Sequence, residues 1–97
     1  MSKVFVEYAI NPEYRESFLI YMQERQEREG RLEVLEGTDQ PGLFVEIWHD
    51  MSREAYNRLK EERFQQDSGT TGSEAAWDKW VKGGLSKLHI WHFTPIG

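Results

Sequence analysis

Val4, Val6, Tyr8 and Ile10 alternate with Phe5, Glu7 and Ala9 at the head of the chain. This two-residue period predicts a strand whose faces differ chemically. The period then lengthens: Tyr14, Phe18, Tyr21, Met22 and Arg25 follow at spacings of three and four, which predicts a helix with one stripe against a sheet and most of QERQERE in water. Asn11 as N-cap, Pro12 at the first helical position, and Glu13 and Glu16 near the positive end of the dipole mark its start, and Gly30 its end. Period two returns over Arg31 to Glu36, with Leu32, Val34 and Glu36 on one face and Glu33 and Leu35 on the other, and again over Leu43 to His49. Between them, Gln40-Pro41-Gly42-Leu43 reads as a type II turn, because proline presets φ near about −65° and glycine accepts the positive φ that follows. A hairpin closed there sets Leu35 opposite Trp48 and Val34 opposite His49. One face is then aliphatic (Leu32, Val34, Val45, Ile47), and the other mixes aromatics with carboxylates (Leu35, Phe44, Glu46, Trp48 and, nearer the edge, Glu33).

Ser52 predicts the cap of a second helix, with Ala55, Tyr56, Leu59 and the stem of Arg63 as its buried stripe and an end near Gln66. Asp67 to Gly72, DSGTTG, is a loop by composition. Ser73 restarts a short helix in which Ala76, Trp77, Trp80 and Val81 share a face, and Gly83-Gly84 stops it. Leu85 to Phe93 reads as the last strand, with Leu88, Ile90 and His92 alternating with His89, Trp91 and Phe93 before Thr94-Pro95 closes it. Strand, helix, strand, strand, helix, strand is the split βαβ order of an α+β, ferredoxin-like domain with a four-stranded antiparallel sheet. Short connections and right-handed crossovers place the first strand centrally between the third and fourth, with the second at the edge beyond the third. Both helices then cover one face, and the bare face calls for a partner, for which a second copy of the sheet is the natural choice.

The length of 97 residues makes a single domain, 1–97, and a chain this short hides only about 60–65% of the surface its unfolded form exposes, a further reason to expect a homodimer. The formal charge of −5 and the lack of adjacent basic residues argue against nucleic acid. No apolar run approaches the ~20 residues of a membrane span. With no cysteine there is neither a thiolate nucleophile nor a disulfide framework, which fits a cytoplasmic protein.

By the expected parity, Glu7, Glu46 and His89 share a face with Phe5, Phe44, Trp48, Trp91 and Phe93. Carboxylates among aromatics either carry raised pKa values, as a general acid or base needs, or are paired and hydrogen-bonded. The candidate catalytic group is therefore His89 or Glu46 as base with Glu7 as orienter, and the candidate walls are Trp48, Trp91, Phe44 and Phe5, with Trp77 and Trp80 closing over them. The alternative is that Glu7 and Glu46 pair with Arg25, Arg63 or Lys79, that His89 is a core residue, and that Trp77 and Trp80 are core packing. His49 and His92 fall by parity on the face opposite His89, so no metal site is expected.

VFVEYAI at the start, LFVEIWHDMSREAYNRLK in the middle and WDKWVKGGLSKLHIWHF at the end together resemble the dimeric α+β barrel superfamily, in particular its antibiotic-biosynthesis-monooxygenase-like branch. The most telling part is EIWHDMSREAY, a third strand ending in tryptophan, then a polar turn, a cap and a helix with an early aromatic. The resemblance implies two sheets packed into a shared barrel across Val4, Val6, Val45, Ile47, Leu88 and Ile90, and a pocket between sheet and helices lined by Trp48. It also implies binding of a small aromatic ligand and its oxygenation without metal, flavin or other cofactor. Haem degraders of the family use an asparagine on the first strand and a histidine on the second helix. This chain has Glu7 or Ala9 at the former and no histidine between Ser52 and Gln66, so of that set only Trp48 matches. The competing expectations are a non-enzymatic ligand-binding or stress-related protein with the same pocket, and a structural dimer with none.

Overall fold

The structure, a computed structural model, describes residues 1–64 and 75–97. In chain order they form β1 (Lys3–Ala9), a 3-10 turn (Pro12–Tyr14), α1 (Arg15–Arg28), β2 (Leu32–Glu36), β3 (Leu43–Trp48), α2 (Arg53–Phe64), α3 (Trp77–Trp80), a second 3-10 turn (Leu85–Lys87) and β4 (His89–Phe93). The strands make one antiparallel sheet in the order β2-β3-β1-β4. This is the order the sequence predicts, and with the helices it gives an α+β domain compatible with a ferredoxin-like arrangement. The expected end of the second helix at Gln66, the loop Asp67 to Gly72 and the restart at Ser73 lie outside the described residues.

Local chemistry accounts for most of the element boundaries. Ser52 Oγ accepts the Ala55 backbone N–H at 3.1 Å and so caps α2. Asn11 does not cap with its side chain; its Nδ2 donates to the Lys79 carbonyl at 2.9 Å, and the first helix starts through the 3-10 turn instead. At the other end, α1 stops at Arg28, with Glu29 in extended backbone. The last strand is shorter than predicted. Gly83 and Gly84 adopt φ of 85° and 87° and feed the second 3-10 turn, so pairing begins only at His89.

The hairpin register departs from expectation. Leu32, not Leu35, faces Trp48, and Val34 faces Glu46 rather than His49. The turn itself forms as predicted, with Leu43 N–H donating to the Gln40 carbonyl at 3.1 Å and Gly42 at φ 93°. It is, however, only the end of a wider loop that starts at Gly37, whose N–H donates to the Leu43 carbonyl. The register therefore slips by three residues from the expected one, and an odd slip exchanges the faces of one strand relative to its neighbour.

The pairing of β1 with β3, set independently of the hairpin, sorts the rest of the sheet. Val4, Val6 and Tyr8 on β1 and Phe44, Glu46 and Trp48 on β3 are all buried on the face that the helices cover. They join Phe18 and Met22 of α1, Tyr56 and Leu59 of α2, and Trp77 and Trp80 of α3 in a single core. Phe18 lies 4.6 Å from Phe44, 5.9 Å from Trp77 and 6.0 Å from Trp80 between ring centroids, and Tyr8 lies 5.2 Å from Trp77. Such aromatic pairs contribute about 0.5–1.5 kcal/mol each beyond the area they bury. Val4 and Val6 thus belong to the helix-covered core, as does Leu88, and only Val45 and Ile47 of the expected barrel residues share the open face.

Candidate functional site

The two faces of the sheet carry different chemistry, and the predicted site residues divide between them. On the open face, Glu7 lies opposite His89 and Phe5 opposite Trp91 across β1 and β4, and Lys3 lies opposite Phe93. Val45 and Ile47 continue this face on β3, opposite Glu7 and Phe5. The aromatic rings form a row along the sheet. Phe5 meets Phe93 edge-on with centroids 5.2 Å apart, and the His89 and Trp91 rings lie 5.7 Å apart and 10° from parallel. A shallow depression of about 500 Å³ runs between Phe5, Glu7, Val45, Trp91 and Phe93. Trp91 and Phe93 are 43% and 51% exposed, and Leu35 on β2 is 46% exposed on the same face.

Glu46, Phe44, Trp48, Trp77 and Trp80 are on the other side, under the helices, so the expected convergence of Glu46 with Glu7 and His89 does not occur. The physical reason is the register of β1 on β3, which gives the two glutamates opposite parity. Val6, not Glu7, faces Glu46 across β1 and β3. Beside Trp48 the described residues leave a depression of about 230 Å³ between α1 and α2, lined by Arg25, Met51, Ala55, Leu59 and Glu62 among others, while Phe18, Trp77 and Trp80 pack on one another under the helices, in accord with the core-packing alternative for the two tryptophans.

Glu46 is fully buried and fully occupied. The Arg63 guanidinium grips it with two hydrogen bonds, at 2.7 Å to Oε1 and 2.9 Å to Oε2. Trp48 Nε1 donates to Oε1 at 2.9 Å, and the Tyr8 hydroxyl donates to Oε2. Burial pushes the Glu46 carboxyl up, but the charge of Arg63 and the hydrogen bonds from Arg63, Tyr8 and Trp48 outweigh it and hold the pKa below the usual carboxylate value. Burial and the adjacent negative charge raise the Tyr8 phenol well above its ordinary value. For Arg63, burial works against the charge, yet Glu46 raises its pKa on balance. A carboxylate with all four lone-pair positions used and a lowered pKa has no capacity left to accept a substrate proton. The pairing with Arg63 is one of the alternatives the sequence offered.

A second layer surrounds this network. The Arg63 guanidinium carbon sits 4.1 Å from the Trp77 ring centroid, and that of Arg25 sits 5.2 Å from Trp48. Arg25 in turn holds Glu62 at 2.5 and 3.1 Å. Among the described residues, the buried nitrogens Arg25 Nε, Arg63 Nε and Trp77 Nε1 find no hydrogen-bond partner.

Two further depressions lie at the end of the sheet where β1 runs out. One of about 550 Å³ sits beside Pro12, Pro41 and Lys82, and its Arg15 is already tied to Glu36 at 2.6 and 2.8 Å. The other, of about 470 Å³, adjoins the aromatic row and is lined by Glu7, Ala9, Lys82, Gly83, Lys87 and His89 among others. Sequence reasoning missed Lys82 and Lys87, because neither sits in a periodic pattern and only the glycine turn at 83–84 brings them together. His49, expected on the face away from His89, follows the parity of Val45 and Ile47, and its ring bonds Glu33 at 2.8 Å. His92 does lie on the covered side, stacked on Tyr56 and bonded to the Met51 carbonyl at 3.0 Å. Among the described residues no group of three His, Asp or Glu side chains is placed to hold a metal ion, and no helix is long and apolar enough to cross a membrane.

Comparison with protein-family models, with curated proteins and with solved structures finds no significant match to this chain.

Proposed function

We propose that the chain works as a cytoplasmic homodimer, two ferredoxin-like protomers closing their open sheet faces into the dimeric α+β barrel that the sequence resembles, and that it binds a small aromatic molecule on that face. The observation that carries this reading is the collection of Phe5, Leu35, Val45, Ile47, Trp91 and Phe93 on one solvent-facing side of the sheet, around a depression of about 500 Å³. Monomeric soluble proteins rarely leave a contiguous apolar patch of more than a few hundred Å² uncovered. In this reading the walls are Phe5, Trp91 and Phe93, and the proton-handling pair is His89 with Glu7 as its orienter. Cofactor-free oxygenation, the reaction the resemblance implies, needs a base beside the aromatic walls to deprotonate an electron-rich substrate near dioxygen. Of the predicted bases, only His89 meets that condition.

The test is sedimentation velocity on the wild type and on Trp91→Glu, with Trp91→Phe as control. The wild type and Trp91→Phe are expected to sediment at twice the 11.5 kDa chain mass, and Trp91→Glu as the monomer, because a charge would be buried unpaired at the interface. A wild type that is monomeric at tens of micromolar overturns the reading. A dimer with no reaction at all is the second reading, favoured by the close packing of Phe18, Trp77 and Trp80 under the helices, where the resemblance implies a pocket. It predicts an unchanged dimer and no oxygen uptake with any phenolic substrate.

A further inference from the structure

The geometry of the open face points to an anionic head group on the ligand: an aromatic acid, its ring system over Phe93, Phe5 and Trp91 and its acid group toward Lys82 and Lys87. This rests on the reading above that the face holds a small aromatic molecule, and it names the chemical class. The depression of about 500 Å³ and the neighbouring one of about 470 Å³ share Glu7, so they adjoin at that residue along one stretch of β1 and β4. Its character changes along its length. Phe93 and Trp91 come first on β4, then His89, and then Lys87 at the turn before the strand.

Backbone geometry fixes the basic end. The Lys82 N–H donates to the Ala9 carbonyl at 2.8 Å, which anchors this lysine beside the end of β1. A Cβ on Gly83 would lie 2.7 Å from Lys87 Cγ, so the Lys87 stem crosses over the glycine, and Gly83 keeps the φ of 85° that brings the two lysines to one side. Neither lysine enters an ion pair among the described residues. Two ammonium groups against the single carboxylate of Glu7 leave this end positive on a chain whose net charge is −5. A neutral aromatic would leave that local excess unanswered, whereas a carboxylate, sulfonate or phosphate at the end of an apolar body would meet it with charge-assisted hydrogen bonds.

Two fluorescent probes with the same aromatic body separate the contributions: 1-anilinonaphthalene-8-sulfonate, which carries the anion, and N-phenyl-1-naphthylamine, which does not. On the wild-type dimer the sulfonate is expected to bind at least about tenfold more tightly than the neutral amine, with the difference shrinking as salt is added. The double variant Lys82→Gln, Lys87→Gln is expected to remove that difference while binding the neutral probe as before. Lys3→Gln, at the far end beside Phe93, is expected to change neither. Phe93→Ser is expected to weaken both probes. Equal affinity of the sulfonate for wild type and the double variant overturns the assignment of the head group while leaving the aromatic site intact. Failure of both probes to bind overturns the ligand site itself, and sedimentation then reports separately whether the dimer stands.

Discussion

Glu46 shows how the same residue type serves opposite ends depending on what its neighbours donate. A carboxylate among aromatics invites a catalytic reading, but with Arg63, Tyr8 and Trp48 all donating to it, it is a buried structural anchor between β3 and α2. Glu46→Gln is expected to destabilise the fold by about 3–5 kcal/mol in urea titrations, because the Arg63 charge stays buried with no counterpart. The paired replacement Glu46→Leu with Arg63→Met is expected to recover most of that loss. A pH effect follows with a definite sign. Both the Glu46 carboxyl and that of Glu36, which hydrogen bonds from Arg15 and the Gly42 N–H lower from 4.5 to about 2, are depressed in the folded state. Their stabilisation is therefore full above the ordinary carboxylate range and is lost as pH falls below it, for Glu36 as pH approaches about 2. Urea midpoints across that window should drop steadily for the wild type and less steeply for Glu46→Gln.

At the scale of elements, the sequence was legible wherever a signal was local. Ser52 announced a cap, and Ser52→Ala is expected to cost about 1 kcal/mol in thermal melts, through the lost bond to the Ala55 N–H. The stripe Phe18, Met22, Arg25 on α1 and the stripe Ala55, Tyr56, Leu59, Arg63 on α2 are buried as their spacing predicts. The order of the strands was legible too, since connection rules leave few choices. Register was not. The Gln40 to Leu43 turn is legible, but hairpin register depends on how every residue between the strands is laid out, and Gly37 to Asp39 read as loop without fixing which residues of β2 and β3 meet. The parity of β1 against β3 is equally silent in the sequence: Val6 rather than Glu7 meets Glu46, so the elements are as expected while Glu46 is separated from Glu7 and His89. Tertiary contact decided the rest: nothing in sequence spacing brings Lys82 and Lys87 to the side of His89.

For the whole molecule, the helix side is finished and the sheet side is not. Every large aromatic under the helices is packed, with Phe18 and Trp77 at 0% exposure, whereas Trp91 and Phe93 stand in solvent on the other side. This contrast makes assembly, rather than an internal cavity, the property on which ligand binding would depend. With the proposed dimer, variants that break it are expected to lose probe binding while retaining a cooperative unfolding transition, to be checked by combining sedimentation with far-ultraviolet circular dichroism.

The order β2-β3-β1-β4 has a consequence for how the protein is made. Of the four strands of this sheet β1 is synthesised before the others, yet one of its two edges is paired by β4, which follows them all. Until His89 to Phe93 arrive, the largely buried β1 keeps an unmatched row of amide groups, the geometry that recruits strands from other chains. A message truncated shortly before that codon run would thus yield an adhesive fragment and not merely an inactive one, so β4 acts as a built-in guard against aggregation of the strands translated before it.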